Sequence, residues 1–207
     1  KGYVEGIMDG VADTPEKVDR YMRTIYNKAM DMDRLLNELT LYSKIDTNRI
    51  PYNFNHIHVA DYFGDCIEEI GLELEAEHIG LSYFNYAGDD VQVIADPEQL
   101  KRVIDNIIGN SVKYMDKEHG LINIRIKDVG DFIQVEIEDN GKGIGQKDLP
   151  FIFDRFYRTE QSRNSEKGGY GLGLSIAKSI TEAHKGKITA WAPDTEMVQI
   201  TVVLPKK

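Results

Sequence analysis

Apolar residues recur at alternating steps of four and three between Val18 and Leu39, at Val18, Met22, Ile25, Ala29, Met32, Leu36 and Leu39. This is the a/d seam of a heptad repeat held over three heptads, and it predicts one long helix from about Pro15 to Ile45. Thr14 stands in the capping position and Pro15 at the first helical position, where its missing N–H breaks no helical bond. At 1.5 Å per residue the helix would span roughly 45 Å. Residues 1–10 read as the tail of an earlier helix, and Gly10 to Pro15 as a turn. So strict a seam wants a partner helix, and the short preceding segment cannot cover it. A helical hairpin that dimerises is therefore expected. The alternative is a single amphipathic helix lying on a domain core.

Asp46-Thr47-Asn48-Arg49-Ile50-Pro51 breaks the pattern, and the domain boundary is expected there, dividing 1–47 from 48–207. Beyond it the periodicity alternates between helix and strand. A helix is expected over roughly 58–78, weakened by Gly64 and Gly71, and a strand near Val91 to Ala95. Asp96-Pro97-Glu98-Gln99 starts the next helix, with Asp96 as cap, Pro97 at N1 and Gln99 able to complete a capping box. That helix runs to about Tyr114. Ile122, Ile124 and Ile126 alternate with polar residues, as do Ile133, Val135 and Ile137, which predicts two neighbouring strands with one buried face. A last helix over about Gly171 to His184 and strands over about Lys187–Ala192 and Met197–Leu204 complete the chain. Helices gathered on one face of a mixed sheet make an α+β protein, a two-layer α/β sandwich preceded by the long helix.

Composition changes this picture little. Of 207 residues, 41% are hydrophobic and 29% charged, as in ordinary globular proteins. The net charge of −10 gives no basic field for general nucleic-acid binding. Cys66 is the single cysteine, so no internal disulfide forms, and a reducing compartment is expected. No apolar run approaches the ~20 residues that cross a bilayer. The chain opens on Lys1-Gly2-Tyr3 without Met, as expected of a piece of something longer.

Three blocks carry the candidate chemistry. In Asn106-Ile107-Ile108-Gly109-Asn110-Ser111-Val112-Lys113-Tyr114, the spacing puts Asn106, Asn110, Lys113 and Tyr114 on one side of a helix. The Asn110 amide oxygen suits Mg²⁺, and Lys113 can meet a phosphate. A solvated polar face is the alternative. In Asp139-Asn140-Gly141-Lys142-Gly143, Asp139 ends a strand and could accept from an adenine amino group, while Gly141 and Gly143 let backbone approach a flat base. Asn-Gly after an alternating strand is equally a hairpin signal. Gly169-Tyr170-Gly171-Leu172-Gly173-Leu174 opens a helix whose free N–H groups attract phosphate. It lacks the strand of a dinucleotide fold and the Gly-Lys-Ser/Thr of a Walker loop. Between the second and third blocks, Phe153 and Phe156 are expected to anchor a segment from which Arg155 or Arg158 reaches a γ-phosphate. Thr159 to Lys167 reads as a lid or as an ordinary exposed loop.

In this order the blocks resemble the N, G1, F and G2 boxes of sensor histidine kinases, within the ATPase superfamily of gyrase, Hsp90 and MutL type. The resemblance runs from about Ala95 to Pro205. It implies a Bergerat-type ATP-binding fold with ATP and Mg²⁺ as cofactors. It makes Asn110 the metal ligand and Asp139 the adenine-reading acid. Asn106, Lys113, Tyr114, Gly141, Gly143, Ile144, Arg158, Gly169, Gly171, Leu172, Gly173 and Leu174 would line the nucleotide, Arg158 and Lys113 in catalytic roles. The heptad helix resembles the second helix of the family's dimerisation and phosphotransfer hairpin. That implies a homodimer, a response-regulator receiver domain as partner, and the cytoplasmic portion of a membrane-bound sensor.

Hydrolysing relatives carry a Glu general base one turn before the metal Asn. Here Asn106 stands in its place, and an amide cannot take that proton. ATP should then keep its γ-phosphate for another acceptor. The family's His-acid-Leu-basic-x-Pro acceptor motif is not present, and His56, His58, His78, His119 and His184 lack its context. The chain by itself is therefore expected to bind ATP without autophosphorylating. A nonenzymatic dimerisation and docking module with a regulatory nucleotide site is the alternative. His184-Lys185-Gly186 departs from the family's usual His-Gly-Gly.

Overall fold

The heptad pattern folds as expected into one continuous helix, α2 (Pro15–Asp46), preceded by the short α1 (Gly2–Met8). The computed structural model describes residues 2–47, 49–159, 170–193 and 196–206. The chain divides into two compact units, Lys1–Thr47 and Asn48–Lys207. In the first unit Gly10 turns the chain at φ +73°, and the Lys17 N–H reaches the Thr14 hydroxyl oxygen at 3.3 Å. The Tyr3 ring meets Tyr21 edge-on at 5.1 Å, and Gly6 lies so close to Tyr21 that a Cβ there would come within 2.8 Å of the ring. Met22, Met32 and Leu36 of the seam stay 55%, 64% and 60% exposed, because α1 is too short to cover them.

The second unit runs β1 (Asn55–His58), α3 (Val59–Ala76), β2 (Gly80–Asn85), β3 (Gln92–Ala95), α4 (Pro97–Tyr114), β4 (Leu121–Val129), β5 (Phe132–Asp139), a 3₁₀ turn (Leu149–Phe151), α5 (Gly173–Ala183), β6 (Lys187–Trp191) and β7 (Val198–Pro205). Five strands form a sheet in the order β2-β4-β5-β7-β6, with β2 parallel to β4 and the other pairs antiparallel. β1 and β3 pair separately. Strand alternation sends Ile122, Ile124, Ile126, Ile133, Val135, Ile137, Ile200, Val202 and Leu204 to the helix-covered face. There they meet the apolar stripes of α3, α4 and α5, including Phe63, Leu74, Ile107, Ile176 and Ile180. The opposite face is polar. Arg125 bonds Glu138 at 3.0 Å, and Lys127 bonds Glu136 at 2.7 Å. The guanidinium of Arg125 holds the Glu138 carboxyl below its ordinary range.

Two strands escape the sequence pattern. β1 carries a single apolar residue, Ile57, and β2 is an edge strand paired only to β4 and mostly half-buried, so neither alternates cleanly. The start of α4 also differs from expectation. Asp96 caps it, accepting the Gln99 N–H at 3.1 Å, but Gln99 does not return the bond. Its side chain accepts from Arg102 at 3.3 Å, and the Asp96 N–H donates to His184 Nε2 at 3.0 Å. Since Nε2 accepts, Nδ1 carries the proton and donates to the Ile180 carbonyl at 2.8 Å. His184, 4% exposed, thus ties the end of α5 to the start of α4. Tyr52 and Phe54 pack edge-on against its ring, and the Asn53 N–H binds the Asp96 carboxylate at 2.8 Å.

Replacing His184 by Ala leaves the Asp96 N–H buried without an acceptor and opens a ring-sized void. The expected loss is about 2–4 kcal/mol of unfolding free energy. Urea denaturation followed by circular dichroism measures it, and an unchanged midpoint would contradict the brace.

Candidate nucleotide site

Asp139 is the last residue of β5, the middle strand of the sheet. The two-residue period carries it onto the same face as Ile133, Val135 and Ile137, so an acidic side chain ends an apolar stripe beneath α4. Its carboxylate is held from two sides. The Ser111 hydroxyl of α4 donates to Oδ2 at 2.7 Å, and the Gly141 N–H donates to Oδ1 at 3.0 Å. Burial pushes the carboxyl above the ordinary aspartate range; Ser111 and then Gly141 pull against it, and neighbouring Glu138 adds to the rise. Each oxygen accepts two or more bonds when ionised, so the group retains capacity for a further donor.

The chain cannot continue as a hairpin after Asp139, because β4 and β7 already flank β5 on both sides. Asn140 fastens the exit instead. Its Oδ1 accepts the Leu121 N–H at 2.8 Å and its Nδ2 donates to the His119 carbonyl at 3.0 Å. Gly141 then passes under the end of α4. A Cβ there would lie 3.0 Å from Asp139 Oδ1 and 3.1 Å from the Tyr114 carbonyl oxygen, which also accepts the Lys142 N–H at 3.3 Å. Gly143 follows at φ +68°, a conformation that favours glycine.

A second cluster forms one turn and more up α4. Gly173, the first residue of α5, abuts Asn106; a Cβ on it would come within 2.9 Å of Asn106 Oδ1. Asn106 Nδ2 donates to the Arg102 carbonyl at 2.9 Å. Leu172, at the N-cap of α5, offers no side chain to cap it, so among the described residues the first N–H groups of the helix meet no such competitor. Leu172 is fully buried, which leaves only its backbone for a ligand. Gly171, at φ +74°, packs directly under the Phe156–Tyr157 backbone, where a Cβ would meet the Tyr157 carbonyl oxygen at 2.6 Å. The Phe156 N–H donates to the Gly171 carbonyl at 3.0 Å.

The expected anchors of this segment are corrected by the fold. Phe156 adopts φ +60° to meet Gly171, and its ring is 55% exposed; Phe153 is only half-buried. Ile152, 8% exposed, is the residue that enters the core.

The fold therefore brings Asp139 and Gly141 to Ser111 and Tyr114, and Gly173 to Asn106, along one helix. Asn110 lies half-buried between the two clusters, and Lys113 Nζ sits 4.9 Å from the Tyr114 ring centre. Ile144, Leu174 and Arg158 are half-buried and follow directly on Gly143, Gly173 and Tyr157. Gly169 lies outside the described residues. Ser111 was not anticipated. The signal was available: a serine stands at i+4 from Ile107 and i+3 from Ile108, inside the buried stripe of α4.

Residues 95–207 match the family model described as histidine kinase-, DNA gyrase B-, and HSP90-like ATPase. The whole chain is 31% identical to sensor histidine kinase WalK of Bacillus subtilis (strain 168), covering 34% of that protein. Sensor protein VanS of Enterococcus faecium is 30% identical over 93% of the chain and 49% of its own length. The chain thus spans about a third to a half of the curated relatives it matches. Among solved structures, histidine kinase AdeS of Acinetobacter baumannii aligns with all of the chain and 92% of its own at a TM-score of 0.76 and 21% identity. Histidine kinase ThkA, solved in complex with response regulator protein TrrA, aligns with 99% of the chain and 57% of its own at 0.77 and 23%. These two share the fold.

Protonating Asp139 replaces an acceptor with a donor, so affinity for a ligand that donates to this carboxylate, probed with ATP, should fall as pH drops through its raised pKa, above the usual carboxylate range. The sign for folding is opposite. A carboxyl whose pKa is raised by folding weighs against stability while ionised, and that penalty disappears as pH falls through the same range. Calorimetric titration with MgATP across mildly acidic pH checks this; an affinity that stays flat down to the ordinary aspartate range would contradict it.

Proposed function

Since the chain belongs to the histidine kinase-, DNA gyrase B-, and HSP90-like ATPase family, we propose that it is the ATP-binding catalytic part of a two-component sensor histidine kinase. It donates the ATP γ-phosphate to a histidine on a dimerisation hairpin, for relay to the receiver domain of a response regulator. The observation that carries the reading is the Asp139 carboxylate, half-buried at the end of the central strand and held by two donors with acceptor capacity left over. An adenine amino group supplies the donor such a group wants.

The other residues fit the rest of the nucleotide. Gly141 lies tight against Asp139 and the Tyr114 carbonyl and Gly143 takes φ +68°, and neither carries a side chain that would shield a planar base. The uncapped start of α5, with Gly171 and Gly173 leaving no side chain in the way, suits phosphate. Asn110 would supply an amide oxygen to Mg²⁺, with Lys113 and Arg158 toward the phosphates. When bound, the ion would offset phosphate charge during transfer. Gly169, Leu172, Leu174, Ile144 and Tyr114 complete the proposed lining.

Asn106 supports phosphate donation over hydrolysis. It occupies the place of a general base, but its Nδ2 is a donor bound to the Arg102 carbonyl, and its amide cannot take a proton from water. The exposed seam of α2 supports a homodimer through the helical unit, which we assign to residues 1–47, with 48–207 as the catalytic unit. Among the described residues no helix is long and apolar enough to cross a membrane. We place the chain on the cytoplasmic side of a membrane-bound sensor, by analogy with its relatives' role as sensor kinases.

Asp139→Asn should weaken Mg²⁺-dependent ATP binding by at least about tenfold, the worth of one charge-assisted hydrogen bond. Unchanged affinity would remove the adenine assignment. In the same assay, the wild-type chain should release no phosphate steadily from ATP; sustained turnover would favour a hydrolase.

Leu36→Lys places a charge in the α2 seam. It should shift the chain from dimer to monomer in sedimentation equilibrium, without changing ATP affinity. A wild-type chain that is monomeric at tens of micromolar, on the order expected for a weak interface, would count against the dimer.

A further inference from the structure

Packing alone does not account for Ser111. It is 6% exposed on the stripe that α4 buries with Leu100, Val103, Ile104, Ile107 and Ile108, where an apolar side chain would lose nothing. A buried hydroxyl in a helix usually returns its proton to a carbonyl of the preceding turn. The hydroxyls of α5 do so: Ser175 donates to Leu172, Ser179 to Ser175 and Thr181 to Ala177. Ser111 instead reaches out of its helix to Asp139 Oδ2, 28 positions away in the chain.

We infer that Ser111 is a positioning residue that makes the site selective for a 6-amino over a 6-oxo purine nucleotide. The inference rests on the reading of Asp139 as the adenine acceptor. Two donors on different oxygens, from α4 on one side and the Gly141 backbone on the other, fix the plane of the carboxylate. The remaining lone pairs then have one direction. A 6-amino group donates into them, whereas a 6-oxo group brings an oxygen against an oxygen. The serine bond also opposes the burial that disfavours the ionised form. Without it, the carboxylate is held at one oxygen only and turns about its own bond, so the directed acceptor is lost while the cleft stays intact.

The test is a double-mutant cycle read by calorimetry on the full chain, with MgATP and magnesium inosine triphosphate as probes. Wild type should prefer ATP. Ser111→Ala should weaken ATP about tenfold and inosine triphosphate by less than about twofold, in keeping with loss of one charge-assisted contact. On an Asp139→Ala background, Ser111→Ala should have no further effect on either. Equal weakening of both nucleotides, a penalty that persists without Asp139, or unchanged ATP affinity would each overturn the role of Ser111. Wild type that fails to distinguish the two nucleotides would instead overturn the adenine reading, and the inference with it.

Discussion

Drawing the Asp139 carboxylate partly out of water at the end of β5 dictates what must surround it. An ionised group partly withdrawn from water needs several donors. Ser111 arrives on α4, Gly141 from the turn, and Asn140 locks that turn by bonding the backbone at His119 and Leu121. The donors present only partly offset the burial, since the carboxyl still sits above its ordinary range. That imbalance makes the group receptive to one more donor. A carboxylate whose protein partners were complete would have no reason to take a donor from a ligand.

The helices that carry the site are held by a second buried polar joint at their far ends. His184 closes α5 onto the start of α4 through the Asp96 N–H, while the Asp96 carboxylate takes the N–H groups of Gln99 and Asn53. With that end fixed, the start of α5 falls against Asn106, and Gly173 is the residue small enough for the approach. Gly171 plays the same part against the Phe156–Tyr157 backbone, and Phe156 takes a left-handed conformation there. Strain of this kind persists where the surroundings over-determine it, and here they border the phosphate end of the proposed site.

Much of this was legible in the chain. The heptad spacing of Val18 to Leu39 marked α2, and alternating Ile122–Ile126 and Ile133–Ile137 marked the central strands. Asp96-Pro97 marked the start of α4, because each signal is local and periodic. β1 and β2 were not legible, since an edge strand need not alternate. Aromatic size suggests that Phe153 and Phe156 are buried, but Ile152 enters the core and a left-handed turn leaves Phe156 exposed. Asn110, Asp139 and the glycines stood out as motifs, but Ser111 did not, since one serine in an apolar stripe has no meaning until its partner is known.

The sequence by itself determined the long helices, the central strands, the two-layer class and the chemical kinds of residue at the site, because these follow from short-range periodicity and from the functional groups the chain carries. Only the tertiary structure decided that Asp139 ends the middle strand, that the Ser111 hydroxyl donates to it and not to a carbonyl of its own helix, and that His184 replaces Gln99 in satisfying the start of α4. Those choices are made between residues 28 and 88 positions apart. Each is a competition among hydrogen-bond partners in a buried space, and nothing in the local chain records which partner the packing of helices on the sheet will bring within reach.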